Sequence, residues 1–251
     1  MDCTKLLDGI SREYCSILGD NLVGIYVHGS IAFGCFNWNK SDIDFLVVTE
    51  DIPTQRQKED LIDVLLRSND AAPPKGFEMS VMLEKYCAHF VYPTPFELHF
   101  SNTHIQKCRE NLKEYCQTMN GTDIDLAAHL TVIKEAGVLL CGKEISEVFG
   151  DVLKSDYLDS IKRDVENAPG DVNDNPIYVI LNLCRVLAYI REDLVMSKEQ
   201  GGLWGIRNLP ADYFELIQAS LACYRSEKNL PVDNEKAQEF CQYMRGRIFA
   251  N

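Results

Sequence analysis

Two aspartates spaced two apart, Asp42 and Asp44, stand just ahead of the apolar run Phe45 to Val48 in the segment VGIYVHGSIAFGCFNWNKSDIDFLVVTE. On an extended strand such residues share a face, which brings their carboxylates side by side. Like charges that close repel, and the arrangement becomes favourable when a divalent cation sits between them. Hard oxygen ligands suit magnesium, which completes its shell with water and phosphate oxygens. Upstream, Gly29 and Ser30 end another apolar run. A glycine at a strand end lets a phosphate approach the backbone, and the serine offers a hydroxyl and an N–H. Glu78, in FEMSVML, supplies a third carboxylate on a strand able to lie beside the one that follows Asp42. Three acids converging on one point are the hardware of metal-assisted nucleotidyl transfer. Taken singly, each signal is weak, since SDID also reads as a cap with solvated acids; the order strand, Gly-Ser, Asp-x-Asp and strand is more specific.

Apolar spacing predicts a helix over residues 5–18, strands over 23–28 and 43–49, and a helix around Leu61 to Leu66 ended by the turn-rich SNDAAPPKG. Alternation of Phe77, Met79, Val81 and Leu83 with polar residues predicts another strand. No strand signal is read after Tyr92. DIDLAAHLTVIKEAGVLLCG reads as one long helix stopped by Gly142, and further helices are expected over 155–167, 177–192, 211–225 and 235–247. The expected fold is α/β (α+β): a mixed sheet flanked by helices over residues 1–153, then an all-α helical bundle over 154–251.

With 251 residues, 46% hydrophobic and 25% charged, the chain has the composition of a globular protein of one large or two modest domains. Its apolar runs fall far short of the roughly 20 residues of a membrane span, and the first residues lack a signal-peptide pattern, so no membrane association and a cytoplasmic location are expected. Ten cysteines without a CxxC pair or a nearby histidine read as reduced packing residues and argue against structural zinc. A net charge of −13 disfavours nucleic acid as a partner and suits a small cationic ligand, although solubility alone would also account for it.

The stretch HGSIAFGCFNWNKSDIDFLVV resembles the signature of the DNA polymerase beta-like nucleotidyltransferase superfamily. The resemblance extends through EMSVML, PFELHF, the segment from DIDLAAHL to ISEVF, LNLCRVLAYI, SKEQGGLWGIRNLP and AQEFCQYMRGRI. That order is similar to the aminoglycoside adenylyltransferases that modify streptomycin and spectinomycin. It implies a magnesium-dependent enzyme, expected as a monomer, that transfers AMP from ATP to an antibiotic hydroxyl. By this resemblance Asp42 and Asp44 hold magnesium, and Glu78 helps bind the metal and acts as base. Gly29, Ser30, Ser41, Arg185, Lys198 and Tyr243 are the expected ATP contacts, the last three from the helical domain, so that nucleotide binding draws the domains together. Lys198 is placed in a loop beside glycines. Arg185 also reads as a structural ion-pair partner, and Tyr243 as a core aromatic.

Two departures bear on the acceptor. Thr103 stands where two-drug members of the family carry tryptophan, and Asn175, next to Asp174, where they carry an aspartate. Both missing residues are streptomycin contacts in the family, so spectinomycin, modified at its 9-hydroxyl, is the expected acceptor. Glu97, Asp171, Asp174 and Asn175 are candidate partners for its amines, each also readable as a solvated surface residue. The remaining alternatives are streptomycin, a lincosamide or another small hydroxyl compound as acceptor, or a nucleotide-binding protein without turnover.

Overall fold

The computed structural model describes residues 3–226 and 233–250, and the chain divides into two units, Met1–Leu153 and Lys154–Asn251. In the first unit the elements run α1 (Cys3–Leu18), β1 (Leu22–Val27), α2 (Gly29–Ala32), β2 (Ile43–Thr49), α3 (Gln55–Ser68), β3 (Phe77–Leu83) and α4 (Glu84–Ala88). They continue with β4 (Thr94–Phe96), β5 (Leu98–Ser101), α5 (Ile105–Glu110), α6 (Leu112–Thr118), β6 (Gly121–Asp123), α7 (Leu126–Ala136), β7 (Val138–Gly142) and α8 (Ile145–Val148). The mixed sheet has the order β5-β3-β2-β1-β7, with β2 and β3 parallel and the other neighbours antiparallel; β4 and β6 form a separate two-stranded ribbon.

Side-chain alternation divides the sheet between two cores. Ile43, Phe45 and Val47 of β2 and Phe77, Met79 and Val81 of β3 pack with Leu7, Ile10 and Tyr14 of α1 and Leu61, Ile62 and Leu65 of α3. The buried Tyr14 hydroxyl donates to the Leu61 carbonyl at 3.0 Å, which ties these two helices together while satisfying the one polar atom of the ring. Leu46, Val48 and Met82 pack on the opposite face with Leu126, Leu130 and Ile133 of α7 and with Val148 and Phe149. This second face is the one to which Asp44 and Glu78 belong by alternation. Within the parallel pair, Asp44 is the direct partner of Glu78.

Four short strands lie beyond Tyr92, where none was expected. Three of them, β4, β5 and β6, have only three or four residues, too few for a period-two pattern to stand out. The expected long helix over 123–142 is also two elements. Helix α7 ends at Ala136, Gly137 turns to an extended conformation, and the chain returns as the edge strand β7 beside β1, with Ile25 opposite Cys141. A short apolar run such as VLLC fits a helix or a strand equally well, and pairing with β1 decides the matter.

The second unit consists of α9 (Lys154–Asp164), α10 (Ala168–Asp171), α11 (Pro176–Glu192), α12 (Lys198–Asn208), α13 (Phe214–Arg225) and α14 (Asn234–Ile248). Ten residues of α11 are buried, from Val179 to Tyr189, so this helix is the spine of the unit. Lys198 lies at the first position of α12 and not in a loop. Ser197 caps that helix through a reciprocal box with Gln200, its hydroxyl accepting from the Gln200 N–H at 3.0 Å. Glycines inside the helix favoured a loop on propensity, but here they permit close packing. A Cβ at Gly201 would stand 2.7 Å from the Arg185 Cβ, and one at Gly202 would stand 2.7 Å from Leu181 Cδ2. All ten cysteines are free thiols; Cys87, Cys108, Cys116, Cys184, Cys223 and Cys241 are buried. Among the described residues, no helix is long and apolar enough to cross a membrane.

Two predictions follow from this packing. Gly201→Ala pushes α12 away from α11 and is expected to destabilise the protein by about 1–3 kcal/mol, the usual range for overpacking, readable by urea denaturation; unchanged stability would show that the helices part at no cost. The second concerns His99, which shares a hydrogen bond with Ser80 at 3.0 Å. Burial, then the neighbouring His104 and His129, lower its pKa from 6.5 to about 4. Between those values the unfolded chain binds a proton that the folded chain refuses, so stability falls as pH drops through this window. Replacing His99 with Gln is expected to flatten that part of the stability curve.

Candidate active site

The starts of β2 and β3 set the geometry. Asp44 and Glu78 are neighbours across the parallel ladder, and Asp42 enters from the residue just before β2. One carboxylate oxygen from each of Asp42, Asp44 and Glu78 lies within 4.8 Å of the other two, and all three residues are partly exposed. Three acid oxygens and no sulfur or nitrogen fit a hard divalent cation such as magnesium.

The turn after β1 packs directly on this group. The His28 N–H donates to the Asp44 carbonyl at 3.0 Å. Gly29 has φ +61°, and a Cβ there would sit 1.9 Å from Asp44 Oδ2, so the glycine vacates the space that this carboxylate occupies. Ser30 Oγ is buried and has no hydrogen-bond partner in the protein. A buried hydroxyl of that kind is costly unless a ligand completes it, and its place in the turn that packs on Asp44 suits a ligand oxygen such as that of a phosphate. Ser41 is buried and used locally: its hydroxyl accepts from the Asn37 N–H at 3.2 Å, and its own N–H returns to the Asn37 carbonyl at 2.8 Å.

Two histidines absent from the sequence reading flank the acids. His129 of α7 places Nε2 3.9 Å from Glu78 Oε1 and 3.8 Å from Asp125 Oδ2. Its ring lies over that of buried His28, with centroids 4.5 Å apart. Burial works to lower the His129 pKa, but Asp125, Glu78, Asp44 and Asp123 together outweigh it and raise the value. Burial, reinforced by His129, drives the His28 pKa well below the usual histidine range. The available signals were the position of His28 immediately before Gly29 and the spacing of Asp125 and His129 by one helical turn.

A groove of about 480 Å³ opens beside the acids, lined by Asp42, Lys75, Phe77, Glu78, Ser101, Asn102 and Thr103. Ser101 lies opposite Glu78 in the ladder of β3 with β5, and its hydroxyl meets that of Thr103 at 2.7 Å. Asn102 donates through Nδ2 to the Pro74 carbonyl at 3.3 Å, while its Oδ1 is buried without a partner. Glu97 lies between β4 and β5 and forms an ion pair with Lys58 at 3.6 Å.

In the second unit, Arg185 and Lys198 belong to one polar cluster. Arg185 pairs with Asp164 at 3.5 Å, the Tyr178 hydroxyl donates to Asp164 at 2.7 Å, and the Lys198 ammonium lies 4.8 Å from the Tyr178 ring centroid. Asn182 also donates to Asp164. Asp164, Tyr178 and Asn182 escaped the sequence reading because each is a common residue type on a helix, with no motif around it. Tyr243 on α14 is half-buried against Tyr213, at 5.1 Å between centroids, and under Arg247 at 5.3 Å. Asp171, Asp174 and Asn175 are exposed around the start of α11, and Asp171 accepts from Asn167 at 2.8 Å.

Comparison with known proteins adds what the chain is similar to. Residues 147–247 match the model of the aminoglycoside adenylyltransferase C-terminal domain. An aminoglycoside (3'') (9) adenylyltransferase of Klebsiella pneumoniae is 26% identical over 238 residues, covering 92% of this chain and 89% of the relative. A spectinomycin 9-adenylyltransferase of Staphylococcus aureus is 24% identical over 248 residues, covering 92% and 90%. The solved spectinomycin adenyltransferase of Enterococcus faecialis, crystallised with ATP and spectinomycin, shares the fold with a TM-score of 0.80 at 21% identity, over 98% of each chain. A carboxy-terminal match of that type, relatives aligned along nearly the whole length and a shared fold make this chain similar to the aminoglycoside adenylyltransferases.

Proposed function

We propose that the protein transfers AMP from ATP to a hydroxyl of an aminocyclitol antibiotic, with spectinomycin as the acceptor, modified at its 9-hydroxyl. The observation that carries this reading is the carboxylate trio together with a buried, unsatisfied serine hydroxyl in the adjoining turn, residues that would hold a cation and a phosphate. Magnesium held by Asp42, Asp44 and Glu78 would neutralise triphosphate charge and stabilise the oxygens entering and leaving phosphorus. Ser30 Oγ donates to a phosphate oxygen. Glu78, which also lines the groove, takes the proton of the attacking acceptor hydroxyl as its oxygen bonds to the α-phosphorus and pyrophosphate departs. Asp42 and Asp44 would fix the position of the triphosphate as the other two carboxylates of the metal seat. Arg185 and Lys198 are assigned to the nucleotide on resemblance, and within its own unit Arg185 pairs with Asp164. Tyr243 and Ser41 are assigned to the nucleotide on resemblance alone.

Thr103 and Lys75 favour spectinomycin over streptomycin. Thr103 gives the groove a small polar side chain in place of a tryptophan, and the Lys75 ammonium disfavours the more highly charged of two cationic acceptors. Asn102 Oδ1 is an acceptor in want of a hydroxyl or ammonium donor. Asp171, Asp174 and Asn175 are solvent-facing candidates for the drug's amines; Glu97, already paired with Lys58, is a weaker one.

A pyrophosphate-release assay with ATP and magnesium over an antibiotic panel tests the reading. Release with spectinomycin alone is expected; release with streptomycin or a lincosamide instead would reassign the acceptor, and nucleotide binding without release would mean a protein that lacks turnover. Glu78→Gln is expected to lower kcat by about 10²–10⁴-fold, the range of general-base contributions, and retention of full activity would remove the assigned base.

A further inference from the structure

We infer that His129 is a positioning residue for Glu78, and that Asp125 and His28 hold it in that task. This rests on the assignment of Glu78 as base and metal ligand, since His129 acts through that side chain. The imidazole reaches the site from α7, the helix packed on the face of the sheet to which Glu78 belongs. Its Nε2 faces two carboxylates at once, Glu78 at 3.9 Å and Asp125 at 3.8 Å. A ring nitrogen between two acids carries its hydrogen toward them, because a lone pair there would face only negative charge. Asp125, four residues earlier on the chain, sets the approach of the ring from its own side.

His28 supplies the backing. Its ring stands 4.5 Å from that of His129, it is 4% exposed, and its backbone N–H bonds Asp44. The imidazole therefore has few alternative rotamers: one face is covered and one edge is committed to two acids. The Glu78 carboxylate in turn has the His129 ring beside it from α7, while it also belongs to the carboxylate trio and lines the groove. A base that must both ligate a metal and meet an acceptor hydroxyl needs its rotamer held, and outer partners of metal-binding carboxylates serve this purpose.

Three variants of the full chain test the assignment: His129→Phe, which keeps a ring against His28 but loses the N–H; His129→Gln, which keeps an N–H donor; and His129→Phe combined with Glu78→Gln. The first readout is Mn²⁺ affinity by electron paramagnetic resonance, which needs no acceptor. His129→Phe is expected to weaken Mn²⁺ binding by about 10-fold, within the range for lost outer partners, His129→Gln to recover most of it, and the double variant to bind no worse than Glu78→Gln alone. The second readout is turnover with the acceptor identified by the antibiotic panel, where His129→Phe is expected to lower kcat at least as much while leaving KM for ATP unchanged. Unchanged or tighter Mn²⁺ binding in folded His129→Phe would overturn the inference, as would an undiminished effect in the Glu78→Gln background. Absence of AMP transfer by the unaltered protein would instead overturn the assigned reaction, and the Mn²⁺ cycle would still decide the role of His129.

Discussion

Electrostatic repulsion among three carboxylates is the constraint around which the amino-terminal unit is arranged. Asp44 and Glu78 face each other across a parallel ladder, where no intervening strand can separate them, and Asp42 adds a third negative charge from the preceding residue. In isolation such a group would be driven apart or protonated. The fold instead fixes it in place: β2 and β3 are buried at almost every other position, so neither strand can slip to relieve the repulsion without turning its apolar side chains to the wrong face. Register, chosen by burial, holds Asp44 and Glu78 side by side with Asp42 next to them.

The surroundings of the trio divide the remaining work. On one side a tight turn brings a buried hydroxyl and a glycine with left-handed φ against Asp44. From α7 comes His129, whose raised pKa reflects the four acids about it, over a neighbour kept neutral by burial. Toward β5 lies a groove whose far wall is polar and carries one lysine. The carboxy-terminal unit meanwhile gathers Arg185 and Lys198 around Asp164 and Tyr178, on helices brought close by glycines that expose backbone to backbone.

Much of this was legible in the primary structure, for reasons that can be named. Asp42, Asp44 and Glu78 announce themselves because acids next to long apolar strands contradict burial, and the mixed sheet followed by helices shows in the change of periodicity. Helix α11 is equally plain, being apolar over most of its length. What escaped notice was set by tertiary context. Strand β7 looks helical until β1 claims it, and α12 looks like a loop until its glycines are seen against α11. His129 is one of several polar residues on α7, and beyond its one-turn spacing from Asp125 nothing local reveals that Glu78 and another imidazole await it.

The alignment of Glu78 with Ser101 across β3 and β5 has an evolutionary consequence. On the proposed function, chemistry and acceptor choice sit on adjacent but separate pieces of chain: the former on the starts of β2 and β3, the latter on the partly exposed end of an outer strand and the turn that follows it. A change of side chain at the exposed Thr103 would alter the groove without touching the three carboxylates. An enzyme assembled in this way can follow a changing chemical environment by altering its doorway alone.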